Sequence, residues 1–243
     1  VIGAHFDHIG LGGPGSGSRK PDSIQVHPGA DDNASGTAGL LELAQKLSSN
    51  KNQLKRSFLL VGFDAEEKGL LGSKYFVENS PVDMKHIVSM INMDMIGRMS
   101  DSSFTVSGVG TSPSFELLLD SLKTNRPFEL IMDKPGFGPS DHASFYTKDI
   151  PVLFFFSGIH DDYHTPLDTW QRINLRGEKY ILDFIYDVVF DLSRFPMRPV
   201  FQEAGPKNNQ MGTPTRFNVT LGIMPSYTTV SYTHLRAHET QSD

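Results

Sequence analysis

The sequence has no cysteine, no run of basic residues, and no apolar run long enough to cross a membrane. Without cysteine there are no disulfides and no zinc sites built from thiolates. The richest apolar run, residues 152–156, has the length of a buried strand. A net charge of -6 argues against a nucleic-acid-binding surface. With 38% hydrophobic and 21% charged residues, the 243-residue chain is expected to form one large α/β domain, or one domain and part of another.

Apolar strands without polar alternation take turns with helical patterns along the chain. The predicted strands are 1–4, 57–63, 87–93, 103–107, 127–133 and 152–156, and the predicted helices are 36–48, 69–79, 114–123, 140–146 and 180–192. A Gly/Ser-rich segment, 10–21, is predicted to be a mobile surface loop. This order indicates a three-layer α/β sandwich with a mixed, largely parallel central sheet between helices.

Two adjacent carboxylates, Asp31 and Asp32, lie in a turn made of Gly, Ala, Asn and Ser. Ser35 is predicted to cap the helix that follows them. Acidic side chains held together need a compensating cation, because each raises the pKa of the other. We interpret Asp31 as a turn residue that bonds its own backbone. Asp32 remains the candidate ligand.

Further potential ligands follow the predicted strands or lie in the late loop 160–166. Together with the acidic turn they are His5, Asp32, Glu66, Glu67, Asp94 and His164. Zinc accepts imidazole and carboxylate donors, and one carboxylate can bridge two ions. A pair of metal ions suits hydrolysis of an unactivated amide, provided that one further carboxylate stays free to move protons. Glu66 and Glu67 are adjacent, so one can be the base and the other a ligand.

These residues stand in five motifs that together resemble metallopeptidase family twenty-eight, which contains di-zinc aminopeptidases and glutamate carboxypeptidases. The motifs are His5-x-Asp7, Gly29-Ala-Asp-Asp-Asn-Ala-Ser-Gly36, Asp64-Ala-Glu-Glu-Lys-Gly69, Asn92-Met-Asp94 and Tyr163-His-Thr-Pro-Leu-Asp-Thr169. The resemblance covers about residues 1–195 and implies the zinc exopeptidase type of fold.

The resemblance also implies a role for each ligand. Asp32 bridges two zinc ions. His5 and Asp94 complete one zinc site, and Glu67 and His164 complete the other. Glu66 is the general base that takes a proton from the bridging water and passes it to the leaving amine.

Neighbouring residues are given supporting roles. Asp7 is the candidate partner for the second nitrogen of His5, and Asp168 or Asp162 for that of His164. Tyr163 is similar to a phenol that stabilises the tetrahedral oxyanion in some family members. The family often has a cis peptide after the bridging aspartate, here between residues 32 and 33.

For the other loop histidines a hydrogen-bonded structural role is favoured over metal binding; they are His8, His27, His142 and His160. His142 and His160 lie near the predicted mouth of the site, where they can touch substrate. Phe156, nearest the end of its strand, is a candidate to line a pocket.

The main functional hypothesis is a di-zinc aminopeptidase acting on peptides. A carboxypeptidase or dipeptidase on the same scaffold is the first alternative. Glutaminyl cyclisation with a single zinc is another, disfavoured because one metal leaves some of the ligands redundant. A non-catalytic binding relative would have lost ligands or Glu66, and none is lost.

The ends of the chain are expected to depart from those of a natural protein. Residues 1–197 are predicted to be a catalytic domain that lacks its N-terminal part, followed by a linker at 198–214. Residues 215–229 resemble the opening strand of a PDZ domain, which some bacterial family members carry. Residues 230–243 resemble the translation of a sequencing adapter. Family membership implies export of the full-length protein, whereas side-chain preference and oligomeric state stay open.

Overall fold

A computed structural model describes residues 1–208 of the chain. Its strands are β1 (Ile2–His5), β2 (Gly10–Gly12), β3 (Ile24–His27), β4 (Leu60–Phe63), β5 (Met90–Met93), β6 (Ser103–Ser107), β7 (Glu129–Met132) and β8 (Val152–Phe156). Its α-helices are α1 (Gly36–Ser49), α2 (Leu71–Glu78), α3 (Pro113–Lys123), α4 (His142–Tyr146) and α5 (Leu175–Arg194). Every strand and helix predicted from the sequence is therefore present, with bounds that differ by a few residues at most ends.

The central sheet has six strands in the order β4-β1-β5-β8-β6-β7. The neighbours β4, β1, β5 and β8 run parallel, and so do β6 and β7. Only β6 and β8 pair antiparallel within this sheet. The expected mixed, largely parallel sheet is confirmed. Because four neighbouring strands point the same way, their carboxyl ends meet at one edge.

Helices cover both faces of the sheet. On one face, apolar side chains of α1, α3 and α5 pack against β1, β5, β6 and β8 in a large buried cluster. On the other face, α2 and α4 contribute to a smaller cluster that contains Phe63, Val77 and Phe145. Successive strand residues point to opposite faces, as Val152 and Leu153 do in the two clusters. The predicted three-layer architecture is therefore present.

Helix α5 shows how the sequence specifies these layers. Its buried residues Ile181, Ile185 and Val188 recur at helical spacing and are all less than 1% exposed. The Asn174 side chain accepts a hydrogen bond from Gly177 N and so caps the start of the helix. The apolar stripe explains why α5 is held against the sheet over its whole length.

One local expectation near the acidic turn is wrong, and the loop predicted at 10–21 contains a short strand at its start. Ser35 makes no capping hydrogen bond at α1; its hydroxyl instead donates to the backbone oxygen of Asp31 at 2.7 Å. The acceptor for Gly36 N is the side chain of Asn33 at 3.0 Å. The segment predicted as a mobile loop contributes β2, which pairs with β3 to form a two-stranded sheet.

Residues 198–208, which their composition assigns to a linker, return onto the sheet domain. Gln202 N donates to the backbone oxygen of Thr111, and the Tyr146 hydroxyl donates to the backbone oxygen of Gly205 at 2.7 Å. The predictions for residues 215–229 and 230–243 lie outside the described residues. Within residues 1–208, no helix combines the length and the apolar character needed to cross a membrane.

Candidate metal centre

The potential ligands meet at the edge where the parallel strands end. His5 is the last residue of β1, and Asp94 directly follows β5. The pair Glu66 and Glu67 lies in the turn after β4, and His164 lies in the loop after β8. The turn that carries Asp32 lies immediately before α1. All the residues proposed as ligands from the sequence are therefore brought to one place.

Asp32 stands between two imidazoles. Its Oδ1 lies 3.4 Å from Nε2 of His5, and its Oδ2 lies 3.0 Å from Nε2 of His164. The residue is only 3% exposed. Each carboxylate oxygen thus faces a different nitrogen donor, which is the arrangement that a bridging carboxylate requires. The Asp32–Asn33 peptide is cis, as the resemblance implies.

On the Oδ1 side of Asp32, three donors form a cluster of their own. The Nε2 of His5 is 3.4 Å from Oδ1 of Asp94. One ligand atom from each of His5, Glu66 and Asp94 lies within 4.8 Å of the others. Glu66 is therefore close enough to serve either as a ligand or as a base beside this cluster.

On the Oδ2 side, Glu67 faces two histidines. Its Oε2 lies 3.2 Å from Nε2 of His164, and its Oε1 lies 2.9 Å from Nδ1 of His8. Ligand atoms of His8, Asp32 and Glu67 also lie within 4.8 Å of one another. The sequence favours a structural role for His8, and its nearness to Glu67 adds a third imidazole to the centre. No spacing rule pointed to it.

The donor atoms are buried and largely unpaired, which tests whether the site fits a cation. Among the described residues, Nε2 of His5, Oδ2 of Asp32 and Oε1 of Glu67 have no hydrogen-bond partner. Buried polar atoms are normally hydrogen-bonded, and each exception calls for an explanation. Nitrogen and oxygen atoms that converge without hydrogen bonds are explained by a divalent cation between them.

The charges at the centre shift one another strongly. Burial, together with the nearby carboxylates of Asp94 and Asp141, raises the pKa of Glu66 to about 9. Burial alone lowers the pKa of His164, but the carboxylates of Asp32 and Glu67 raise it to about 10. The same balance, dominated by Asp94 and Asp32, holds the pKa of His5 far above its usual range. A cation that binds here has to displace these imidazole protons.

Asp7 links the end of β1, where His5 lies, to the turn after β4, where Glu66 and Glu67 lie. The His5 ring nitrogen Nδ1 bonds the backbone oxygen of Asp7 at 3.1 Å and lies 3.6 Å from its carboxylate. The same carboxylate accepts hydrogen bonds from the backbone N–H groups of Glu66 at 3.0 Å and Glu67 at 3.3 Å. Asp7 therefore contacts His5 mainly through its backbone oxygen, whereas a carboxylate partner was expected. Its carboxylate also fixes the glutamate turn, which the sequence does not indicate.

The proposed carboxylate partners of His164 are wrong. Its Nδ1 bonds the backbone oxygen of Gly17 at 3.0 Å. The buried Asp168 instead accepts hydrogen bonds from the backbone N–H groups of Asp31 and Asp32 at 2.9 and 3.1 Å. Asp162 pairs with the guanidinium group of Arg98 at 3.2 Å. Nothing in the sequence indicates that a backbone carbonyl from a distant loop bonds His164. An aspartate four residues away, Asp168, is visible in the sequence and was therefore expected as the partner.

Asp31 is fully buried and does not behave as a turn residue that bonds only its own backbone. Its Oδ1 accepts from Gly97 N at 2.6 Å, and its Oδ2 lies 3.1 Å from Nε2 of His160. It therefore ties the acidic turn to the segment after β5 and to the His164 loop. For His160, this contact agrees with the structural role favoured from the sequence.

Tyr163 packs on the ring of His164, with ring centres 3.8 Å apart. Burial raises the pKa of its phenol well above the usual range, and the charges of Asp32 and Asp94 raise it further. The phenol therefore keeps its proton at neutral pH. It is available as a hydrogen-bond donor beside the carboxylates.

Residues 140–142, just before and at the start of α4, form a buried polar segment that the sequence identified only in part. Asp141 and His142 are fully buried, and among residues 1–208 their side-chain polar atoms have no hydrogen-bond partner. The amide of Asn92 on β5 donates to the hydroxyl of Ser140 at 2.8 Å. The His142 ring stacks on Phe154 at 4.4 Å, so it belongs to the packing beneath the site.

A model of peptidase family M28 matches residues 1–189, and the chain belongs to this family. Aminopeptidase YwaD of Bacillus subtilis (strain 168) is 28% identical over 188 residues, which cover 73% of this chain and 41% of that protein. The chain therefore spans less than half the length of this relative.

Solved structures agree with the family. An aminopeptidase from Aneurinibacillus sp. strain AM-1 superposes with a TM-score of 0.60 at 27% identity, over 84% of this chain and 45% of that one. A zinc aminopeptidase from Bacillus subtilis has the same fold, with a TM-score of 0.61 at 24% identity over 84% of this chain and 49% of that one. The family assignment and the zinc exopeptidase type of fold made from the sequence are confirmed.

Proposed function

We propose that this chain is the catalytic part of a zinc-dependent aminopeptidase that removes N-terminal residues from peptides. The observation that carries the proposal is Asp32, whose two oxygens lie 3.4 and 3.0 Å from Nε2 of His5 and of His164. Nitrogen and oxygen donors without thiolate fit zinc. Relatives and structural neighbours named as aminopeptidases support the same chemistry.

We propose two zinc ions, shared through Asp32. His5 and Asp94 would hold one ion, and Glu67 and His164 would hold the other. One cluster of potential ligand atoms joins His5, Glu66 and Asp94, and a second joins Asp32, Glu67 and His8, which supports the division into two sites. The Nδ1 atoms of His5 and His164 donate hydrogen bonds to the backbone oxygens of Asp7 and Gly17, and these bonds orient the two rings.

When bound, zinc polarises the scissile carbonyl and makes a water molecule acidic enough to attack near neutral pH. Glu66 takes the proton from this water and returns it to the leaving amine. Its carboxylate lies beside His5 and Asp94, close enough to exchange a proton with a water molecule held at that cluster. Tyr163 donates a hydrogen bond from its protonated phenol to the oxyanion of the tetrahedral intermediate.

The nitrogen and oxygen atoms that converge on the centre also help to choose among the alternative functions. A glutaminyl cyclase with one zinc leaves the donors on one side of Asp32 without a function. A carboxypeptidase or dipeptidase uses the same metal chemistry and differs only in which end of the peptide is held. The names of the relatives favour the aminopeptidase.

A substrate panel separates these functions. The zinc-loaded chain is assayed on leucyl peptides with a free or an acetylated N-terminus, with and without a chelator. We expect hydrolysis of the free-amine peptides alone and its complete loss with chelator. Cleavage of acetylated peptides from the carboxyl end would assign a carboxypeptidase, and cyclisation of N-terminal glutamine with one bound zinc would assign the cyclase.

The role of Glu66 has its own test. Glu66→Gln keeps the side-chain volume but removes the proton acceptor, so kcat should fall by about 10²–10⁴-fold. Zinc content, measured by elemental analysis, should stay at the wild-type value. Wild-type turnover in Glu66→Gln would exclude this residue as the base.

A further inference from the structure

A cavity of about 560 Å³ opens directly beside the two glutamates of the centre. Glu67 is the one proposed metal ligand among its lining residues in the described part of the chain. The remaining walls come from α2, from α4 with the turn after it, and from the loop before α4. Lining residues used below are Leu70, Lys74, Phe137, Thr147 and Lys148.

The walls of this cavity are fixed relative to Glu66. The backbone oxygen of Glu66 accepts hydrogen bonds from Gly69 N at 2.8 Å and Leu70 N at 2.9 Å, so the turn leads straight into α2. The buried hydroxyls of Ser73 on α2 and Ser144 on α4 bond each other at 2.9 Å. These bonds tie the glutamate turn, α2 and α4 to one another around the cavity.

The position of the base determines which part of the substrate enters. Glu66 returns its proton to the leaving amine, so that nitrogen must lie against its carboxylate. The residues after the scissile bond then continue past Glu66, where the cavity begins. One or two extended residues reach roughly 3.5–7 Å, and volumes of about 300–1,000 Å³ are usual for small-molecule sites.

Two exposed ammonium groups, those of Lys74 and Lys148, also line the cavity. Lys74 Nζ donates to the backbone oxygen of Gly69 at 2.8 Å. Within residues 1–208, neither Lys74 nor Lys148 has a carboxylate at ion-pair distance from its Nζ. One further carboxylate, Glu78, stands on the same side as Lys74. Apart from the two glutamates of the proposed metal centre, the lining therefore carries two cations and one anion, in a chain whose net charge is -6.

We propose that this cavity, called here the leaving-side pocket, binds a carboxylate of the departing product through Lys74 and Lys148. The proposal rests on the proposed function, because it takes the direction of the substrate from the role of Glu66. The carboxylate has two sources with the same chemistry: the C-terminus of a short peptide, or an acidic side chain just after the scissile bond. Phe137 and Leu70 supply apolar surface within the same lining.

The first test is kinetic and uses the zinc-loaded full chain. Leucyl-glycyl-glycine is compared with its C-terminal amide, and leucyl-glutamyl-glycinamide with leucyl-glutaminyl-glycinamide. The variants are Lys74→Met, Lys148→Met and the double variant, and Lys123→Met on α3 is the matched control. Thermal unfolding of each variant shows whether the fold is kept.

We expect kcat/KM for the carboxylate-bearing peptides to fall about two- to fivefold for each lysine removed, the range of a partly exposed ion pair. The change should lie in KM, and the neutral amides should be unaffected. Loss with leucyl-glycyl-glycine identifies the C-terminal carboxylate as the ligand. Loss with the glutamyl peptide identifies the side chain.

The second test does not depend on turnover. Binding of glycylglycine and of glycylglycinamide to the wild type and the double variant is measured by calorimetry. We expect glycylglycine to bind the wild type more tightly than the amide does, and the difference to disappear in the double variant.

Different results would contradict the leaving-side pocket and the proposed function. If kcat/KM changes equally for carboxylate and amide peptides, or stays the same for both, the leaving-side pocket is overturned while the aminopeptidase stands. If no free-amine peptide is hydrolysed, the proposed function is overturned. In that case the calorimetric comparison still decides whether the pocket selects a carboxylate.

Discussion

The two sides of the metal centre are built in different ways. The strand-borne side consists of His5 and Asp94, which end or follow β1 and β5 in the middle of the sheet. The loop-borne side consists of Glu67 and His164, and His164 has a positive φ of 55° in the loop after β8. His5 is 1% exposed, whereas the His164 side chain is 14% exposed.

This difference indicates where the centre is rigid. His5 pairs with Phe63 of β4, and its backbone oxygen accepts a hydrogen bond from the Thr37 hydroxyl, so local opening there requires the sheet to open. His164 is oriented by the carbonyl of Gly17 and by the packing of Tyr163. We therefore expect the loop-borne side to bind its zinc more weakly and to release it first.

The largest loss of zinc affinity is expected when Asp32 is replaced, because this residue belongs to both sides. Asp32→Ala should lower zinc affinity on both sides by more than about a hundredfold, because even residues behind the ligands cost 10–100-fold. His164→Ala should remove the loop-borne zinc alone, and His5→Ala the strand-borne zinc. Zinc content after chelator titration measures all three. One-step release of both ions from the wild type would contradict the comparison of the two sides.

An intermediate effect is expected from Asp168, which holds the backbone of the acidic turn. Asp168→Asn places an amide group against N–H donors, and loss of hydrogen bonds to a buried charged group costs about 1.5–3 kcal/mol. Zinc affinity should fall about 10–100-fold on both sides, since Asp32 is the shared ligand. Chemical denaturation and competition with a zinc chelator provide the measurements. Asp120→Asn, on the surface of α3, is the control and should change neither quantity.

The smallest effect concerns the packing beneath the strand-borne side. Burial lowers the pKa of His142 to about 3. Its unfolded pKa is about 6.5, so the unfolded chain takes up the proton first. Folding stability is therefore highest above pH 6.5 and falls as pH drops toward 3. Between pH 7 and pH 5 the loss from this residue should be about 2 kcal/mol.

His142→Asn should flatten that part of the pH profile, as measured by denaturant unfolding of the zinc-free chain at several pH values. The exposed His86 supplies the control, because His86→Asn should keep the wild-type slope. An unchanged slope in His142→Asn would show that this histidine is not held neutral in the folded protein.

Much of the architecture was predictable because the strands are short apolar runs and the helices have regular apolar spacing. Val152–Phe156 was located to the residue, since it is bounded by proline and by polar residues. The residues at strand ends followed from the same argument, because parallel strands deliver their ends to one edge. His5 and Asp94 are of this kind.

The contacts that escaped prediction join segments far apart in the chain. Gly17 reaches His164, and Gly97 N reaches the carboxylate of Asp31, through backbone groups that every residue possesses. Asp168 was assigned to His164 because the two are close in sequence, yet the loop turns its carboxylate toward the acidic turn. His8 stood in a loop with no periodicity, so nothing in the sequence separated it from an ordinary surface histidine.

The hold of Asp7 on the glutamate turn has a consequence for how neighbouring side chains divide their work. The Asp7 carboxylate accepts hydrogen bonds from the consecutive backbone N–H groups of Glu66 and Glu67. The two side chains therefore leave the backbone in fixed, diverging directions. A proton carrier and a metal ligand can then be adjacent in sequence without exchanging places when the surface loops move. Glu66 and Glu67 have the same chemistry, so the different roles proposed for them depend on Asp7, which fixes the direction of each side chain.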